Sequence, residues 1–90
     1  MAKYQTKQIV IEAVRYLGGG NMEGGGSPSW VWEALERGNL LTTNGRDPLL
    51  LRDRKGMTQI VDPGNWIIRY ADGGLESCGP VLFNATYESA

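Results

Sequence analysis

Hydrophobic positions along the chain fall into short runs with two different periods. From Gln8 to Tyr16 the sequence reads Gln-Ile-Val-Ile-Glu-Ala-Val-Arg-Tyr, a β-branched run that predicts a first strand. Alternation puts Val10, Glu12, Val14 and Tyr16 on one face and Ile9, Ile11 and Ala13 on the other. Both faces therefore carry apolar side chains, which predicts a strand that is central or lies at an interface. The period changes after Ser27-Pro28-Ser29, a helix-start signal in which serine caps a free N–H and proline at the first helical position loses no hydrogen bond. A helix is predicted from Pro28 to Arg37, ending at Gly38. Trp30, Val31, Ala34 and Leu35 share its apolar face, Glu33, Glu36 and Arg37 point away, and Trp32 sits at the rim.

The remainder reads as short strands punctuated by turns. Leu40 to Thr43 is followed by Asn44-Gly45, and Leu49 to Arg52 and Met57 to Val61 flank the hairpin loop Asp53-Arg54-Lys55-Gly56. Asp62-Pro63-Gly64-Asn65 is a strong turn, and Trp66 to Tyr70 and Leu75 to Cys78 flank Ala71-Asp72-Gly73-Gly74. Pro80 to Tyr87 closes the chain as a short helix or helical turn rather than a strand. Strands this short, joined by tight turns, pair antiparallel. The predicted fold is α+β: one domain over residues 1–90, a small antiparallel sheet or partial barrel with one amphipathic helix packed on it and a short C-terminal helical turn. An all-β barrel with one inserted helix is the alternative.

Composition limits the chemistry. Ninety residues, 41% hydrophobic and 21% charged, suffice for one thin core. Cys78 is the lone cysteine and histidine is absent, so neither an intrachain disulfide nor the usual zinc ligand sets can form. Self-association is the expected supplement to so small a core, giving a homo-oligomer. A formal net charge of −1 supplies no field for general nucleic-acid or membrane binding. No apolar stretch is long enough to span a bilayer, and Met1-Ala2-Lys3-Tyr4-Gln5 lacks the apolar region of a secretory signal, so the expected location is cytoplasmic.

Three features carry candidate ligand-binding chemistry. The run from Gly18 to Gly26 holds six glycines in nine residues and leads into the helix start. Its N–H groups, unhindered by Cβ atoms, suit an oxyanion such as phosphate, although it lacks the spacing and lysine of a P-loop, and Glu23 repels an anion. Its plainer reading is a surface loop. Arginines Arg15, Arg46, Arg52, Arg54 and Arg69 form the second feature, since guanidinium binds phosphate bidentately and stacks on bases. Each is individually read as a solvated residue, some paired with Asp47, Asp53 or Asp62. Arg15 and Arg69 stand out because each lies within an apolar strand, where a charge needs a partner. The aromatics are the third: Trp66 is assigned to the core, while Trp30 and Trp32 bracket the helix start. The residues assigned to a ligand site are Arg15, Tyr16, Gly26, Ser27, Ser29, Trp30, Arg46 and Arg69. No catalytic residue, metal or cofactor is assigned, because the common triads need a base that the chain lacks.

Two segments carry a resemblance. Lys7-Gln8-Ile9-Val10-Ile11-Glu12-Ala13-Val14-Arg15-Tyr16, and Val61-Asp62-Pro63-Gly64-Asn65-Trp66-Ile67-Ile68-Arg69 with Phe83-Asn84-Ala85-Thr86-Tyr87-Glu88, resemble a group of small bacteriophage and prophage proteins reading K-P-V-V-I-E-A, P-G-D-W-I-V and F-x-x-T-Y-E. Gln8 stands in place of the proline, Asn65 replaces the aspartate, and residues 17–60 are largely unmatched. The resemblance implies a phage origin, an infected bacterial cell as the setting, and a non-enzymatic role; it carries over no active-site residue. The functional expectation is a non-catalytic protein that sequesters a small phosphate-bearing, nucleotide-type ligand to counter antiviral defence. Its alternatives are a protein-binding inhibitor of a host factor, acting through Trp32 and the Leu49-Leu50-Leu51 hairpin, or a minor phage structural or accessory protein.

Overall fold

The alternation around Val14 and Tyr16 becomes strand β1, Glu12–Gly18, in a computed structural model that describes residues 11–24, 28–43 and 46–87. Gln8 to Val10 of the expected strand lie outside the described residues. β1 runs past Tyr16 because the glycine-rich stretch is not wholly loop. Gly19 and Gly20 form a turn with positive φ, and Asn21–Met22 return as strand β2, with Met22 buried. This corrects the expectation of a loop throughout: one apolar side chain among glycines suffices to anchor a return strand.

Helix α1, Ser29–Glu36, starts one residue later than expected, with Pro28 itself at the N-cap in extended conformation. It stops where the glycine predicted. Gly38, with φ of +77°, lets its own N–H reach Leu35 O and the Asn39 N–H reach Ala34 O, the paired bonds of a Schellman motif. Strands β3 (Leu40–Thr43), β4 (Arg46–Arg52) and β5 (Thr58–Val61) follow, β4 being longer than the expected Leu49 to Arg52. Then come β6 (Trp66–Arg69), β7 (Leu75–Cys78) and the closing helix α2 (Pro80–Thr86), with proline in its first turn. Neither helix is long and apolar enough to cross a membrane.

The α+β class is as expected, with the strands divided between two antiparallel sheets, one of order β2-β1-β6-β7 and one of order β3-β4-β5. Their inner faces share one core. Val14 opposite Ile67, with Tyr16 and Leu75, faces Leu49 opposite Val61 and Leu40 opposite Leu51, and α1 adds Trp30, Val31 and Ala34. Burying a side chain of this size stabilises by roughly 1.5–3 kcal/mol, so the dozen core residues set the fold. Polar bonds tie the sheets at two corners. Ser77 donates from its N–H to Gln59 Oε1 at 2.9 Å and from Oγ to Ile60 O at 3.1 Å. At the other corner the Tyr16 hydroxyl donates to Asp47 Oδ1 at 2.5 Å.

Trp66 departs from its expected core position. It lies on the outer face of β6, half-buried, and its ring stacks on Phe83 of α2 with centroids 3.9 Å apart. The period-2 alternation of β6 explains this, because Ile67 takes the core and turns Trp66 and Ile68 to the other face of the strand.

Candidate functional site

The sequence-assigned residues do not converge on one surface. Tyr16 is fully buried and Trp30 is 8% exposed, so both rings belong to the core and neither offers a face to a ligand. Arg69 has its partner across the sheet, Glu12 Oε1 at 3.3 Å, and Arg15 donates from Nε to Gly64 O at 3.3 Å. Ser29 is exposed at the start of α1. Gly26, Ser27 and the side chain of Arg46, which heads β4, lie outside the described residues.

One glycine N–H does meet an oxyanion, and that oxyanion belongs to the chain itself, while the next N–H meets a tyrosine hydroxyl. Gly19 N–H donates to Asp47 Oδ1 at 3.0 Å and Gly20 N–H donates to the Tyr16 hydroxyl at 3.0 Å. Burial, then the hydrogen bond to Asp47, pushes the Tyr16 phenol above its ordinary value, so it stays a donor at neutral pH. The Gly18–Gly20 turn is thereby locked to β4.

A second constellation forms where the β4–β5 and β6–β7 hairpin loops approach the end of α1. A cleft of about 330 Å³ is lined by Asn39, Arg52, Asp53, Arg54, Asp72 and the stretch Gly73 to Leu75. Each polar group has a local cause for its position. The Schellman turn delivers Asn39, whose carbonyl accepts the Arg52 N–H at 2.8 Å and fixes the end of β4 beside it. Asp53 organises the following loop: Oδ1 accepts the N–H groups of Lys55 and Met57, each at 2.9 Å, and Oδ2 accepts Gln59 Nε2 at 3.0 Å. Asp72 does the same for the next loop, its Oδ1 accepting Gly74 N–H at 2.8 Å and its Oδ2 pairing with Arg54 Nη1 at 3.2 Å. Backbone donation, from Met57 to Asp53 and from Gly74 to Asp72, is the leading reason both carboxyls sit below the usual carboxylate range.

Arg54 is held on three sides. Besides Asp72, its Cζ lies 4.4 Å from the centroid of the Tyr70 ring, a cation–π contact. Its aliphatic stem crosses Gly74, where a Cβ would collide with Arg54 Cγ and Cδ. Tyr70 is fixed in turn by hydrogen bonds to Glu76 and Tyr87, which with burial push its phenol well above the ordinary value.

Donors and acceptors at the cleft are unequally engaged. Both carboxylates accept bonds on both oxygens, whereas the Arg52 guanidinium and the Asn39 amide make no side-chain hydrogen bond or ion pair among the described residues. Arginine offers five N–H donors and no acceptor, so what the cleft presents outward is donor-rich. Sequence reasoning noted Arg52 and Arg54 as arginines and 53–56 and 71–74 as hairpin loops, and it missed that the two loops meet. Comparison with protein-family models, curated proteins and solved structures finds no match to this chain.

Proposed function

We propose that the protein is a non-catalytic binding protein that captures a small phosphate-bearing ligand in the cleft between its two hairpin loops. The observation that carries this reading is the surplus of unengaged donors there. Arg52 and Asn39 line the cleft and make no side-chain hydrogen bond or ion pair among the described residues, while Asp53 and Asp72 are held by backbone and side-chain donors. An acceptor-rich anion complements that surplus, and guanidinium matches phosphate in both charge and fork geometry. Arg52 and Arg54 are formally balanced by Asp53 and Asp72, so attraction is local contact rather than long-range steering. A non-catalytic role is supported by Cys78, whose thiol is buried and pushed up, mainly by that burial, away from the reactive thiolate. With the phage resemblance of both ends, the reading extends to sequestration of a phosphate-bearing signal of bacterial antiviral defence.

Thermal unfolding in the presence of inorganic phosphate, ribose 5-phosphate and adenosine 5′-monophosphate tests it. A ligand at about a hundred times its Kd adds about 2.7 kcal/mol of stability. The expected result is a raised midpoint with at least one of the three, abolished by Arg52→Ala, whose own midpoint matches wild type because Arg52 is exposed. No shift with any of them overturns the reading.

A protein-binding role has one observation in its favour. Leu41, Leu50 and Ile60 lie in register across β3, β4 and β5 on the outer face, with Leu41 and Ile60 49% and 57% exposed. Leu49 and Leu51 are buried, so the surface of this rival is the Leu41–Leu50–Ile60 row and not the three-leucine run expected from sequence. It predicts loss of partner binding in Ile60→Glu and indifference to Arg52→Ala.

A further inference from the structure

We infer that the cleft takes a nucleotide, its base lying on the guanidinium plane of Arg54 and its phosphate on Arg52; this deepens the capture reading and rests on it. Arg54 lines the cleft while Tyr70 does not, so the guanidinium separates the ring from the cleft. The guanidinium carbon lies 4.4 Å from the Tyr70 ring centroid, and the Arg54 side chain remains 54% exposed. A planar cation backed by an aromatic ring and open on its other side is a stacking platform for a heteroaromatic base.

The platform is built, not incidental. Asp72 pins Nη1 at 3.2 Å, Glu76 and Tyr87 hold the Tyr70 hydroxyl, and the Arg54 stem occupies the space that any side chain at position 74 would need. Gly74 has no positive φ, unlike its neighbour Gly73 at +86°, so backbone conformation does not call for glycine there. Room for Arg54 does. Immobilising a long side chain beforehand removes part of the entropy that ligand binding would otherwise cost.

Calorimetric titration of the intact chain with adenosine 5′-monophosphate, ribose 5-phosphate and inorganic phosphate reads the inference directly. Base stacking of this kind predicts that the nucleotide binds about tenfold tighter than ribose 5-phosphate. Arg54→Lys keeps the charge and removes the plane, and Gly74→Ala displaces the Arg54 stem while leaving Tyr70 in place. Both are expected to bring the nucleotide down to the affinity of ribose 5-phosphate, whereas Tyr70→Phe, which keeps the ring, retains the preference. Equal affinity of the wild-type chain for nucleotide and ribose 5-phosphate overturns the stacking inference and leaves phosphate capture standing. Failure of all three compounds to bind overturns the capture reading itself.

Discussion

Two corners of the molecule are assembled from the same kinds of residue. At one, Tyr16, Asp47, Gly19 and Gly20 close the gap between the sheets; at the other, Asp72, Gly73 and Gly74 line a cleft with Arg52 and Arg54, and Tyr70 backs Arg54. At the first, each group is satisfied by another of the set, and the tyrosine is fully buried. At the second, the aspartate again organises its own loop, but the tyrosine supports the Arg54 cation, and the Arg52 side chain has no partner among the described residues. A glycine-rich turn full of N–H donors therefore says little about ligand binding until it is known what already accepts from them. The corner that holds its own anion is a structural joint, and the corner with donors left over is where the proposed ligand would bind.

If that division holds, the two tyrosines respond very differently to truncation. Tyr16→Ala empties the centre of the core and is expected to cost about 3–5 kcal/mol, comparable with the whole stability of a domain this small, so the variant unfolds in the first molar or so of denaturant. Tyr70→Ala removes a partly exposed aromatic and cation–π contact and should cost only about 0.5–1.5 kcal/mol. Equal losses in urea titrations would show that the cleft corner is as structural as the core corner. A finer cut is Tyr16→Phe, which keeps the ring and deletes the hydroxyl between Asp47 Oδ1 and Gly20 N–H. It should cost about 1–2 kcal/mol, because the Gly20 donor is left without its acceptor. Hydrogen exchange at Gly20 should rise in step, with no change at Gly74.

Much of this architecture was readable from local patterns. β3 spans Leu40–Thr43, as the Asn44-Gly45 turn signal after it predicts, and the Asp62–Asn65 turn closes as expected, with Asn65 N–H on Asp62 O and Gly64 at φ +94°. α2 begins at Pro80, where proline's fixed φ suits a first turn. What the sequence withheld was convergence. Arg54 and Asp72 are 18 positions apart and meet because two hairpin loops project to one end of the molecule, which no local propensity encodes. Likewise, glycines at 19 and 20 announce available N–H groups without revealing that Asp47, across both sheets, takes one of them. The split into two sheets also escaped periodicity, since short antiparallel strands read alike whether they continue one sheet or start another.

The smallest expected effect concerns acid. Asp53 and Asp72 have folded-state values below their unfolded ones, so their contribution to stability is complete above the ordinary aspartate value, near about 3.9, and is lost as pH falls from there through the depressed folded values. Asn at either position removes that titration. Thermal midpoints between pH 6 and pH 2 should therefore fall less steeply in Asp53→Asn and Asp72→Asn than in wild type, the three curves approaching one another at the acid end, where the wild-type carboxyls are themselves neutral. Asp53 should show the larger flattening, because two backbone N–H groups and Gln59 depend on its charge, whereas Asp72 serves one N–H and an exposed Arg54. Asp72 is exposed and Asp53 half-buried, so salt should shrink the Arg54 share of the difference at Asp72 and leave most of the backbone-bonded share at Asp53. Parallel acid limbs in all three proteins would mean that the loop carboxylates are not engaged in solution, and the donor surplus on which the proposed binding site rests would disappear with them.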